Sequence, residues 1–210
     1  MDAAPRRVPL HVVVRVRPRL ARDGKFGTDT SVVGATAVLV SGSIEPFAFS
    51  CAFGPEATQH AIYNECAASQ VAAVLNGYDA CIFAFGQTGA GKTYSMLGPA
   101  GGHSPTQDGI IPLAAAELFR SVARLEADEP GCQHRLSASF VEIHREGVFD
   151  LLSPDRIPLA VYARPVVIQP RANKRAESSR FAMARVAVRT HLDAEQGRPP
   201  HRLAHISILA

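Results

Sequence analysis

Gly86-Gln87-Thr88-Gly89-Ala90-Gly91-Lys92-Thr93 spells G-x-x-x-x-G-K-[ST] without a mismatch. Each residue type in that spacing suits the holding of a polyphosphate. The glycines let the backbone curl so that successive N–H groups point at phosphate oxygens. Lys92 can reach the β- and γ-phosphates, and the Thr93 hydroxyl is placed to hold Mg²⁺. The chemistry this predicts is binding of a nucleoside triphosphate with Mg²⁺. The alternative is a glycine-rich turn that binds nothing, and the flanking segments decide between the two.

Such a loop needs a rigid strand to deliver it and a helix to receive it. Ala80–Phe85 (ACIFAF) is continuously apolar, as a strand covered on both faces would be. Lys92–Leu97 then opens a helix whose positive dipole end faces the loop. Upstream, Leu10–Pro18 is β-branched and stops at a proline, so it reads as a strand. Ser31–Val40 reads as a second strand interrupted by Gly34, and Glu45–Phe53 as a third. Thr58 is a plausible N-cap. Ile62, Tyr63, Cys66, Ala67, Val71, Val74 and Leu75 then recur at steps of three and four, predicting one amphipathic helix over Thr58–Asn76 that ends at Gly77.

Downstream, Gly98–Gly109 is loop by composition, and Ile110–Glu126 reads as a helix with Pro112 in its first turn. His134–Glu146 predicts a strand followed by a short element, Gly147–Ser153. Phe181–Leu192 and His201–Ala210 read as strands, with loop over Arg171–Arg180. The mixture points to an α/β layered sheet.

At 210 residues, 47% apolar and 20% charged, the composition is that of a globular domain, with no apolar run long enough to span a membrane. The N-terminal segment lacks an apolar signal region and reads as a mature cytosolic start. Four separated cysteines (Cys51, Cys66, Cys81, Cys132) make no CxxC pair, so small buried thiols are expected. Charge is uneven. Residues 1–152 carry 12 Lys/Arg and 15 Asp/Glu, whereas residues 153–210 carry 10 and 4, together with six of the 15 prolines. That basic end reads as a solvated tail or as a surface for an acidic polymer such as nucleic acid or a filament's acidic face.

The wider sequence resembles the first half of a kinesin motor domain. The segments that carry the resemblance are HVVVRVRP near the start, the run from Phe53 to Gly98, DGIIP at 108–112 and SFVEIHREGVFDLL at 139–152. It covers roughly Val12–Leu152. It implies a P-loop NTPase with a kinesin-type mixed central β-sheet and helices on both faces, incomplete at the C-terminal end. Residues 1–210 would form a single partial motor domain: 1–152 well matched, and 153–210 divergent, basic and proline-rich. The implied activity is ATP hydrolysis driving movement along microtubules, with ATP and Mg²⁺ as cofactors and tubulin as partner. A cytoplasmic, cytoskeletal location follows, with no nucleic-acid or membrane partner and the oligomeric state left open. The resemblance also implies that Arg15, Arg17 and Pro18 pack beside adenine and that Tyr94 contacts the base.

The family pattern fails in two places. Its first switch, N-x-x-S-S-R-S-H, matches Ser178, Ser179 and Arg180 in RAESSRFA, but Arg175 replaces the asparagine and Phe181-Ala182 replace the final Ser-His. By resemblance Ser179 approaches Mg²⁺ and Arg180 pairs with an acid of the second switch. That second switch, D-L-A-G-S-E, aligns with the final Ile208-Leu209-Ala210, which puts isoleucine where the acid stands. Isoleucine cannot accept a hydrogen bond from Mg²⁺-bound water, so impaired hydrolysis is expected. The second expectation is a pseudo-motor that binds nucleotide or a filament without turnover; a third is a P-loop ATPase or kinase of another kind. Weaker candidates are a metal or acid–base group at Glu142, His144 and Glu146, a histidine site at His191, His201 and His205, and Asp193 as a substitute acid. Ordinary strand and solvated roles are the simpler reading of these.

Overall fold

The computed structural model describes residues 10–24, 30–100, 104–128, 132–144, 147–155, 158–159, 181–192 and 203–209. Ten strands and four α-helices lie in these stretches. The strands are β1 (Val13–Arg15), β2 (Thr30–Val33), β3 (Ala37–Val40), β4 (Phe47–Ala48), β5 (Cys51–Phe53), β6 (Ala80–Phe83), β7 (Cys132–His144), β8 (Gly147–Asp150), β9 (Phe181–Leu192) and β10 (Leu203–Leu209). The helices are α1 (Gln59–Cys66), α2 (Ala68–Leu75), α3 (Lys92–Leu97) and α4 (Ile110–Asp128).

A five-stranded mixed sheet in the order β6-β10-β9-β7-β8 forms the centre. β10 runs parallel to β6, with Ile208 opposite Ile82, and antiparallel to β9. β9 lies antiparallel to β7 over twelve residue pairs, and β7 folds back on β8 as a hairpin. β10 thus sits between two neighbours, and its Ala204, Ile206 and Ile208 are buried on one face. The core joins these three residues to Ile62, Ala67, Val71 and Val74 of the α1–α2 segment, to Met96 of α3 and to Ile110, Leu113 and Leu118 of α4. The buried positions of α4 (Ile110, Leu113, Ala114, Leu118, Val122) fall at helical spacing, so one stripe of the helix meets the sheet. Each fully buried aliphatic side chain contributes about 1.5–3 kcal/mol.

Several sequence expectations change here. Ser31–Val40 is not one strand: Gly34, at φ 64°, turns the chain so that β2 and β3 pair antiparallel. Glu45–Phe53 divides between two sheets, β4 pairing with β3 and β5 lying parallel to β1. The long helix is two, broken where Ala67 leaves helical geometry at φ −124°. β6 is covered on one face only among the described residues. Ala80 is buried, whereas Cys81 is exposed and Phe83 is 56% exposed. An unbroken apolar run does not distinguish a strand with two covered faces from one with a single covered face. Cys81 therefore departs from the expected buried thiol. Thr58 does cap α1, its Oγ1 accepting from the Ala61 N–H at 3.1 Å.

Candidate nucleotide-binding site

β6 delivers the chain to Gly86, and α3 takes it up at Lys92. Between them Gly89 and Gly91 stand at φ 81° and 97°, a region in which a residue with a Cβ is penalised by about 1–2 kcal/mol. The Ala90 N–H donates to the Gln87 carbonyl at 3.1 Å and tightens the turn. No side chain caps α3. The first-turn N–H groups of Lys92, Thr93 and Tyr94 have no carbonyl one turn behind them to bond. The Lys92 ammonium folds back over its own loop, donating to the carbonyls of Gly86 at 2.9 Å and Gln87 at 3.1 Å. Gln87, Thr88, Gly89 and Thr93 are exposed. One ammonium, free N–H groups and hydroxyls, with no carboxylate from Gly86 to Thr93, make a donor set suited to an anion.

A half-buried polar layer stands beside the loop. Arg15, from β1, donates to Gln59 Oε1 at 2.7 Å, to Ser95 Oγ at 2.9 Å and to the Ala57 carbonyl at 3.2 Å. Its guanidinium lies 5.2 Å from the centre of the Tyr94 ring, a cation–π arrangement. Burial lowers its pKa, and the Tyr94 hydroxyl partly offsets this. Arg17 holds Asp23 with two short bonds, 2.6 and 2.7 Å, and donates to the Pro18 carbonyl at 2.9 Å. The hydrogen bond to Asp23 raises its pKa. The Arg17 stem passes 3.9 Å from where a Cβ on Gly91 would lie, so Arg17 borders the loop. Pro18 and Tyr94 are exposed.

Among the residues singled out from the sequence, Arg15, Arg17, Pro18, Gly86–Thr93 and Tyr94 therefore share one region around the loop. Arg175, Ser178, Ser179, Arg180, Asp193, His201 and Glu146 lie outside the described residues. Ile208 lies on the parallel strand beside β6, 2% exposed and packed in the core. Among the described residues no group of three His, Cys, Asp or Glu side chains is placed to hold a metal. His205 receives a different role: its backbone N–H donates to Asp79 Oδ1 at 2.8 Å.

Gln59 escaped sequence reasoning. It is 3% exposed, and its amide donates to the carbonyls of Tyr94 (2.6 Å) and Gln107 (3.1 Å) while accepting from Arg15. A glutamine in the first turn of an amphipathic helix looks like a solvent-facing residue, and no sequence signal marked it. Asp108 stands in the sequence only as the first residue of DGIIP, with no role of its own. It is 5% exposed, and it accepts from the Ser104 N–H at 2.9 Å inside the loop that links α3 to α4.

A strand, a phosphate loop and a helix beside a mixed, helix-packed sheet define a P-loop α/β nucleotide-binding domain. The pattern of the kinesin motor domain family matches residues 23–187. The chain belongs to that family. It is 34% identical over 151 residues to the kinesin-like protein KIF27 of Mus musculus, covering 69% of this chain and 10% of that one. It is 38% identical over 156 residues to the kinesin-like protein KIN-14C of Arabidopsis thaliana, covering 70% of this chain and 19% of that one. A solved structure of a fast kinesin superposes with a TM-score of 0.76 at 21% identity, over 94% of this chain and 63% of the other, a likeness of fold. The chain thus spans about a tenth to a fifth of the curated relatives' length.

Proposed function

We propose that Gly86–Thr93 binds ATP with Mg²⁺ and that the chain is the nucleotide-binding part of a microtubule motor ATPase. The observation that carries this is the loop itself: left-handed Gly89 and Gly91, an α3 start with no side-chain cap, and an ammonium bonded to the carbonyls of Gly86 and Gln87. On binding, Lys92 exchanges its two carbonyl partners for outer phosphate oxygens, and the N–H groups of the loop and of the first turn of α3 hold the remainder. The exposed Thr93 hydroxyl is the described group that would hold Mg²⁺, which when bound offsets the charge of the outer phosphates. Tyr94 and Arg15, with Arg17 and Pro18 alongside, offer apolar and cationic surfaces to the base. Microtubule binding rests on family membership and on the fast-kinesin structure, which is presented with implications for ATPase mechanism and interactions with microtubules.

Turnover in this reading is slow. The strand beside β6 presents Ile208, with an apolar side chain in an apolar core, at the position where the family resemblance sets a Mg²⁺-linked acid. The same observation favours the second reading, a pseudo-motor that binds nucleotide or filament without hydrolysis.

Two measurements on the 210-residue chain separate these readings: equilibrium binding of labelled ATP, and phosphate release with and without microtubules. We expect ATP binding that Lys92→Ala weakens by more than about tenfold, and phosphate release close to background. Absence of ATP binding overturns the first proposal. Microtubule-stimulated release that disappears in Lys92→Ala overturns slow turnover and the pseudo-motor together.

A further inference from the structure

We infer that Gln59 is a positioning residue for base recognition, tying Arg15 to Tyr94 across the mouth of the phosphate loop. This rests on the reading of Gly86–Thr93 as a nucleotide site. The amide of Gln59 is buried and has three protein partners on three separate segments. Its Oε1 takes the Arg15 guanidinium from β1, one N–H takes the Tyr94 carbonyl of α3, and the other takes the Gln107 carbonyl of the α3–α4 loop. Both amide donors are used, so neither arm can swing away without leaving a buried polar group unpaired.

The geometry makes this a coupling between the two groups that flank the loop. Arg15 is held from two sides, by Gln59 at 2.7 Å and by Ser95 of α3 at 2.9 Å, and it sits over the Tyr94 ring. The Tyr94 carbonyl accepts from Gln59 and also from the Gly98 N–H at 2.9 Å, which closes the end of α3. Without Gln59, the guanidinium keeps its bonds to Ser95 and the Ala57 carbonyl, but β1 and α3 lose the amide that spans them. The phosphate loop keeps its own contacts, because Lys92 bonds only to Gly86 and Gln87 among the described hydrogen bonds. Loss of Gln59 is therefore felt more by the base than by the phosphates.

Inorganic tripolyphosphate isolates the phosphate grip, and ATP adds the base. The test is titration of both ligands, with Mg²⁺, into the full chain and into Gln59→Leu, Arg15→Met and the double variant. Gln59→Leu is expected to weaken ATP about tenfold, the worth of one net hydrogen bond to a charged group, and to leave tripolyphosphate within about twofold. Because Gln59 acts through Arg15, adding Gln59→Leu to Arg15→Met should weaken ATP by less than about threefold further. Should Gln59→Leu fail to fold, Ser95→Ala loosens the same guanidinium; it is expected to weaken ATP about threefold without affecting tripolyphosphate. Equal loss of both ligands, no loss of either, or full additivity in the double variant overturns the role of Gln59. Failure of the unmodified chain to bind tripolyphosphate overturns the phosphate-loop reading itself and this inference with it.

Discussion

Replacing Lys92 with methionine keeps the aliphatic stem and removes the charge, so it isolates what the ammonium does for ATP. A phosphate charge about 4 Å from the ammonium gains roughly 4 kcal/mol at the effective dielectric of a protein surface. The gain is not free, because the ammonium already donates to the Gly86 and Gln87 carbonyls at 2.9 and 3.1 Å and must give these up. At a partly exposed site each such bond is worth about 1 kcal/mol, so the exchange returns about 2 kcal/mol, or roughly 30-fold in Kd. Calorimetric titration of ATP·Mg²⁺ into both forms measures it. The difference should shrink as salt is raised, since the site opens to solvent. The unliganded variant should melt only a few degrees lower, because the two freed carbonyls can be hydrated. A change in Kd below about threefold, in a variant that melts within a few degrees of the parent, would refute the assignment of Lys92 to the phosphates.

Three further outcomes test the frame around the site. Thr58→Ala removes the cap of α1 and should lower stability by about 1 kcal/mol in urea melts. Gly109→Ala should cost more than about 2 kcal/mol, because its new Cβ would lie 2.4 Å from the Met96 carbonyl carbon and 2.5 Å from the Leu97 nitrogen, both backbone atoms that cannot swing aside; thermal melts check it. Burial, reinforced by Glu117, pushes the Tyr63 hydroxyl up to about 12, and burial with Glu65 nearby pushes the Cys66 thiol up to about 11. Both groups are neutral when folded. Their contribution is therefore complete below their ordinary values of 10.0 and 9.0 and is lost as pH rises through 11 to 12. Stability measured from pH 8 to 12 should fall less steeply in a Tyr63→Phe, Cys66→Ala variant. Tyr63→Phe alone should be near neutral at pH 7, because the buried hydroxyl has no hydrogen-bond partner among the described residues.

How much of this was legible in the sequence depended on the range of the forces involved. The glycine turn at Gly89–Gly91, the start of α3, the Thr58 cap and the apolar stripe of α4 are local patterns, and each appears where spacing predicts it. Gly34 misled because a glycine within a β-branched run fits an interrupted strand as well as a hairpin; the pairing of Thr30 with Val40 decides it. Cys81 and Phe83 misled because their exposure depends on what else packs on β6. Gln59 was missed because its three partners come from segments 35 to 48 residues away.

The sequence by itself determined the chemistry available: eight consecutive residues of the types that the proposed phosphate grip needs, since glycine torsions, a lysine and a hydroxyl need only their immediate neighbours. It also determined, by the absence of a carboxylate at position 208, what that strand position cannot offer. Only the tertiary structure decided where that position lies, by laying β10 parallel to β6 although more than a hundred residues separate them. Only it decided that Arg15 and Tyr94 are joined through a buried glutamine. Strand pairing and the satisfaction of buried polar groups are settled by whichever distant segments together exclude water, and a one-dimensional pattern does not carry that information.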